Sequence, residues 1–167
     1  MKEQEVYLIL HNIRSAYNVG SIFRTADAAG VNKIYVGGYS PTPDDTKDNL
    51  SSSYSSGSSS KLSKTALGTE KIVPWEYHKQ TWRLLEKLKV DGVQIVALEQ
   101  TKKSVDFRLF RPKFPLALVV GNEIRGLSKK ILEYADKIIE IPMFGKKESL
   151  NVAIAAGIAI YKLLEKK

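Results

Sequence analysis

The sequence has no cysteine, which excludes disulfides and thiolate metal sites and leaves the compartment open. Long apolar runs are missing as well. The longest, Val152 to Tyr161, is about half of the roughly 20 residues a membrane span needs. Met1-Lys2-Glu3-Gln4-Glu5 lacks the apolar core of a signal peptide, so a cytoplasmic protein is the default expectation. No Gly-x-Gly-x-x-Gly turn occurs, which argues against a dinucleotide-dependent oxidoreductase. Histidine is scarce, and His11 and His78 lie outside the polar clusters described below, as structural residues. Negative charge is in short supply: 18 Asp and Glu face 26 Lys and Arg, a net +8. The resulting pI of about 9.5 favours a polyanionic partner. A membrane surface would give the same sign, so charge alone does not choose. What remains is 167 residues, 43% of them hydrophobic, enough for one domain with a substantial core.

Short apolar runs supply the strands. Val6 to Leu10, Lys33 to Gly37, Gln94 to Leu98, Leu116 to Val120 and Lys137 to Ile141 all read as strands, with Ile72-Val73 a weak one broken by Pro74. Asn18 to Ala29 reads as a helix that Asn18 caps and Gly30 ends. Trp82 to Leu88 carries apolar residues at helical spacing. Ser128 caps a short helix to about Tyr134, and Ser149 opens the last helix after Pro142 stops its strand. Strands alternating with helices predict an α/β fold: a parallel sheet flanked by helices, with ligands beyond the carboxyl ends of the strands. Residues 40–63 do not fit that pattern. Their middle, SSSYSSGSSS, has eight serines in ten residues and reads as a flexible insertion within a single domain spanning 1–167.

Three polar clusters follow strand ends. NIRSAYNVGSIFRTADAAG (12–30) sets Asn18 and Arg24 on a helix whose Gly20-Ser21 lets another group approach. LALVVGNEIRGLS (116–128) crowds Asn122, Glu123 and Arg125 after Gly121. IPMFGKKESLNVAIAAG (141–157) puts Ser149 and Asn151 at the mouth of an apolar helix. Taken singly, each reads slightly better as a capped helix or a solvated turn. Together they demand more, because a parallel sheet can bring all three to one edge, and a shared site accounts for them best.

In this order the three motifs closely resemble the SpoU-type branch of the SPOUT RNA methyltransferases, over nearly the whole chain except residues 40–63. The resemblance implies an α/β-knot fold whose C-terminal segment forms a deep trefoil knot, a homodimer, S-adenosylmethionine as cofactor, and methylation of a ribose 2′-hydroxyl of RNA without a metal. By motif it assigns catalytic roles to Asn18, Arg24, Glu123, Ser149 and Asn151. It assigns cofactor binding to Leu98, Glu99, Gly121, Ile141, Pro142, Met143, Ser149 and Leu150. An arginine side chain stays protonated at neutral pH and is a poor base there. The expected role of Arg24 is therefore to stabilise oxyanion charge and hold an RNA phosphate, oriented by a bidentate Glu123. A compact transfer RNA is the favoured substrate and ribosomal RNA the alternative. A catalytically silent RNA-binding module is the rival reading.

Overall fold

A computed structural model of the chain describes residues 4–44 and 58–165. Seven strands form one sheet in the order β3-β2-β1-β6-β4-β7-β5, and every neighbouring pair is parallel. They are β1 (Val6–His11), β2 (Lys33–Gly37), β3 (Trp75–His78), β4 (Gln94–Leu98), β5 (Val105–Asp106), β6 (Leu116–Val120) and β7 (Lys137–Glu140). The helices are α1 (Ala16–Ala29), α2 (Ser58–Ala66), α3 (Thr81–Val90), α4 (Lys129–Leu132) and α5 (Val152–Leu164). The expected parallel α/β architecture is therefore observed.

Side chains alternate across the pleat, so each central strand feeds two cores. Val6, Leu8 and Leu10 of β1, with Leu116, Leu118 and Val120 of β6, pack under α1, α2 and α5. Ile9, with Ala117 and Val119, packs under α3 and α4 instead. All of β6 is buried, which explains why its sequence is a continuous apolar run. Because all strands are parallel, the loops after β1, β4, β6 and β7 leave the same edge of the sheet.

The structure corrects four expectations. Ile72-Val73 is not a strand: a 3₁₀ turn at Thr69–Lys71 leads into it, and the edge strand β3 starts after Pro74. Proline serves there as the lead-in, with no ladder N–H required of it. Helix α1 begins at Ala16, not at Asn18, and its cap is Ser15, whose side chain accepts from the Asn18 N–H at 3.3 Å. Helix α5 is capped by Asn151 rather than Ser149. The flexible reading of 40–63 fails at its C-terminal end, since Ser58–Ala66 is helical and Leu62 and Ala66 are fully buried against α1. Residues 45–57 of that expectation lie outside the described residues. Gly30, by contrast, ends α1 as expected, in the left-handed region at φ 74°.

Candidate active site at the carboxyl edge of the sheet

The three motifs meet through a chain of hydrogen bonds. The loop after β6 carries Glu123 to the start of α1, where its Oε2 accepts from the Arg14 N–H at 2.8 Å and its Oε1 from the Ser15 N–H at 3.0 Å. A carboxylate there satisfies amides at the helix start and faces the positive end of the helix dipole. The Asn18 side-chain amide donates to the same Oε1 at 2.9 Å. Asn18 in turn accepts, through Oδ1, from the Asn151 amide at 3.0 Å. The remaining oxygen of Asn151 caps α5, accepting from the Ala153 and Ile154 N–H groups at 2.9 and 3.3 Å. Glu123, Asn18 and Asn151 thus join residues 105 and 133 positions apart into one polar line. Shifting the start of α1 to Ala16 makes this possible, because Asn18 is then freed from capping.

Burial alone would raise the Glu123 pKa, but donation from Arg14 N–H, the Asn18 amide and Ser15 N–H outweighs it and holds the carboxyl below its ordinary range. A depressed folded-state pKa adds stability above the ordinary glutamate range and loses it as pH falls through the folded value. Thermal denaturation followed from about pH 6 to 3 should therefore show a steeper acid loss for the wild type than for Glu123→Gln. Parallel curves would mean that these hydrogen bonds do not favour the ionised form.

Behind this line the loop after β6 is held by its own side chains. Buried Asn122 accepts from the Ile124 and Arg125 N–H groups at 2.9 and 2.8 Å and donates to the Asn12 carbonyl and the Tyr39 hydroxyl. Gly121 is required by this turn, since a Cβ there would lie 2.8 Å from the Gly126 carbonyl carbon and from Leu127. Its expected closeness to a cofactor is thus not what fixes its identity. The sequence singles out Asn122 without giving it a role, and it offers no sign of Asn12, whose φ of 56° is a signal visible only in the backbone.

The expected cofactor-lining residues cluster around the same edge. Glu99 accepts from the Leu127 N–H at 2.8 Å and from Gln100 at 2.9 Å, and the Gln100 amide reaches the Glu148 carbonyl at 2.9 Å. The loop after β4 is thereby tied both to the loop after β6 and to the segment that carries Ser149. Leu98, Ile141, Pro142 and Met143 are half-buried and Leu150 is exposed, an apolar wall without a full cover. Ser149 is exposed and has no hydrogen bond among the described residues. Half-covered apolar side chains beside a free hydroxyl and backbone polar groups suit a nucleoside with a charged tail.

Arg24 sits elsewhere. A cleft of about 480 Å³ opens between α1, α2 and α5, lined by Ser21, Arg24 and Thr25, by Lys64 and Thr65, and by Tyr161. Arg24 is exposed and makes no ion pair among the described residues, so the expected Glu123 pairing is not formed. Glu123 spends its oxygens on α1 and Asn18 instead. Lys64 and Tyr161 carry no sequence signal for this cleft, because α2 reads as linker and α5 as packing.

Comparison with known proteins gives this arrangement its place. The model of the SpoU rRNA Methylase family matches residues 5–161. The chain is 34% identical to the tRNA (guanosine(18)-2′-O)-methyltransferase of Aquifex aeolicus, over 96% of this chain and 69% of that protein. It is 32% identical to the 23S rRNA (guanosine-2′-O-)-methyltransferase RlmB of Neisseria meningitidis, over 96% of this chain and 58% of that protein. The crystal structure of an AdoMet-bound rRNA methyltransferase from Sinorhizobium meliloti matches with a TM-score of 0.82 at 30% identity, covering 97% of this chain and 56% of that one. The chain therefore spans about three fifths of the length of most of the relatives it matches. The family match runs through all three motifs, and the chain belongs to the SpoU rRNA methylase family.

Proposed function

We propose that the protein transfers a methyl group from S-adenosylmethionine to a ribose 2′-hydroxyl of structured RNA. The observation that carries this reading is the Glu123–Asn18–Asn151 line, which joins all three motifs at the edge where α/β sheets bind ligands. Leu98, Glu99, Gly121, Ile141, Pro142, Met143, Ser149 and Leu150 surround the cofactor in this reading, which supplies an already activated methyl group. The chain's own residues then have two tasks. Ser149 and Asn151 position the acceptor ribose, and Arg24 holds an adjoining phosphate and stabilises charge that develops on the 2′-oxygen. Transfer RNA is the favoured substrate, as in the Aquifex relative, with ribosomal RNA the alternative. A cytoplasmic location goes with either.

Two further features belong to the same proposal. The C-terminal segment threads a loop to form a deep trefoil knot, a reading supported by the Gln100 amide, which donates to the Glu148 carbonyl and ties the segment before α5 to the loop after β4. The protein acts as a homodimer, supported by an apolar stripe that α5 leaves uncovered: Ile154, Ile158 and Tyr161 recur every three or four residues and are 39 to 57% exposed. A second copy of this same stripe would cover it by two-fold symmetry.

S-adenosylhomocysteine should raise the Tm by mass action on the folded state, whereas NADH should not. Equal shifts from both, or none from either, would refute the pocket. Mapping ribose methylation in cellular RNA with and without the gene then separates an enzyme from a silent RNA-binding module.

A further inference from the structure

On the opposite face of the sheet from Arg24, the N-terminal turns of α3 and α4 bring a second group of cations to the same carboxyl edge. Helix α3 starts three residues after β3, and Thr81 in its first turn is hydrogen-bonded to Nδ1 of His11, the last residue of β1, at 2.8 Å. Helix α4 follows directly from the loop that carries Glu123, after the Ser128 cap. Between the two helices stands half-buried Trp82. Lys130 Nζ lies 4.1 Å from its ring centroid and the Arg83 guanidinium carbon 5.2 Å.

What distinguishes this pair is how it is held. Four cations lie over aromatic rings among the described residues, and two of them, Lys33 and Arg108, are also ion-paired, with Glu76 and Asp106. Arg83 and Lys130 have no carboxylate partner among the described residues. The nearby Glu86 accepts from the Tyr134 hydroxyl at 2.9 Å, and the first turn of α3 contains no acidic residue. A ring face orients a cation without cancelling its charge. Two long side chains are thus partly ordered by a neutral partner and keep their full charge for another anion. An arginine in the first turn also opposes the helix dipole, a cost that a bound anion reverses.

We infer that Arg83 and Lys130, braced by Trp82, form a phosphate-anchoring surface that holds the RNA backbone as it crosses the sheet edge toward the site. The surface rests on the RNA reading above but lies outside the residues that perform the chemistry. It acts on position, so its loss weakens binding alike for any sequence and spares the cofactor.

Bulk transfer RNA is the probe, with its Kd measured from about 50 to 200 mM salt. Each phosphate that the protein no longer neutralises should lower the slope of log K against log salt by about 0.7 to 0.9. The Arg83→Gln/Lys130→Gln protein should therefore show a slope lower by roughly 1.5 and a clearly raised Kd. Its Tm rise with S-adenosylhomocysteine should equal that of the wild type, which shows that it is folded. Lys33→Gln, at the opposite edge of the sheet, should leave the slope unchanged. A wild type that does not bind RNA would overturn the function proposed above. A wild type that binds with a steep slope, matched by the double variant, would overturn this surface alone. Salt-dependent binding to phosphatidylserine vesicles, lost in the double variant while RNA binding is kept, would assign the cluster to a membrane surface and overturn it too.

Discussion

Replacing Arg24 with alanine is expected to lower RNA 2′-O-methylation by on the order of 10²- to 10³-fold or more, while leaving the S-adenosylhomocysteine-induced Tm rise nearly intact. The split follows from where the side chain lies. Arg24 is absent from the Glu123–Asn18–Asn151 line and from the apolar wall at 141–143, so its loss leaves both in place. It faces a cleft shared with Lys64 and with the Ser21, Thr25 and Thr65 hydroxyls, in which two cations stand without an ion pair among the described residues. Such a cleft gains most from an anion, whether a bound phosphate or the oxygen that becomes charged during transfer. Lysine in place of Arg24 should rescue poorly, since an ammonium cannot reproduce the planar two-pronged donor. Single-turnover methylation with labelled cofactor reads the rate, and the thermal shift reads the pocket. A variant that keeps most of its turnover would remove Arg24 from the chemistry.

The corrected role of Glu123 sharpens this point. Motif membership places Glu123 and Arg24 in one site, and charge complementarity suggests that they pair. The structure instead uses the carboxylate as an acceptor for two backbone amides at the start of α1 and for Asn18. That choice depends on where α1 begins, which the sequence masks. Ser15 and Asn18 are both good capping residues, and only tertiary placement decides between them. Ser149 and Asn151 pose the same ambiguity at α5. Helix ends are thus legible to within a few residues, but the site is made of those residues.

Buried strands are far easier to read. β1, β2, β4 and β6 announce themselves as apolar runs because both faces of a central parallel strand are covered, whereas β7 is marked only by Ile138-Ile139 and buries Ile139 alone. β3 sits at the edge and reads WEYH, with no residue fully buried, so it carries no run to find. β5 is only two residues long. The meeting of three motifs at one edge is inferable from parallel topology, whereas the cleft that holds Arg24 is not, because one of its walls is α2.

Helix α2 is where composition misleads most, and breaking its packing against α1 should cost the most stability. A Cβ on Gly20 would lie 2.1 Å from the Thr65 hydroxyl and 2.2 Å from the Leu62 carbonyl oxygen, the second a backbone atom that cannot rotate away. Gly20→Ala must therefore push the helices apart, at about 1–3 kcal/mol. Leu62→Ala removes a fully buried side chain from the same interface, at about 2–5 kcal/mol. Each kcal/mol is worth about 2–4 °C of Tm in a chain of this size. Both substitutions loosen one interface, so the double variant should lose less than the sum of the two. Both single variants melting within a degree of the wild type would return residues 58–66 to the status of a tether. If α2 packs as described, the same two variants also displace Lys64 and Thr65 from the cleft, and RNA methylation should fall even at temperatures where the protein remains folded. The serine-rich stretch then leads into a wall of the site, and α2 is held there by two buried side chains that recur one helical turn apart, Leu62 and Ala66.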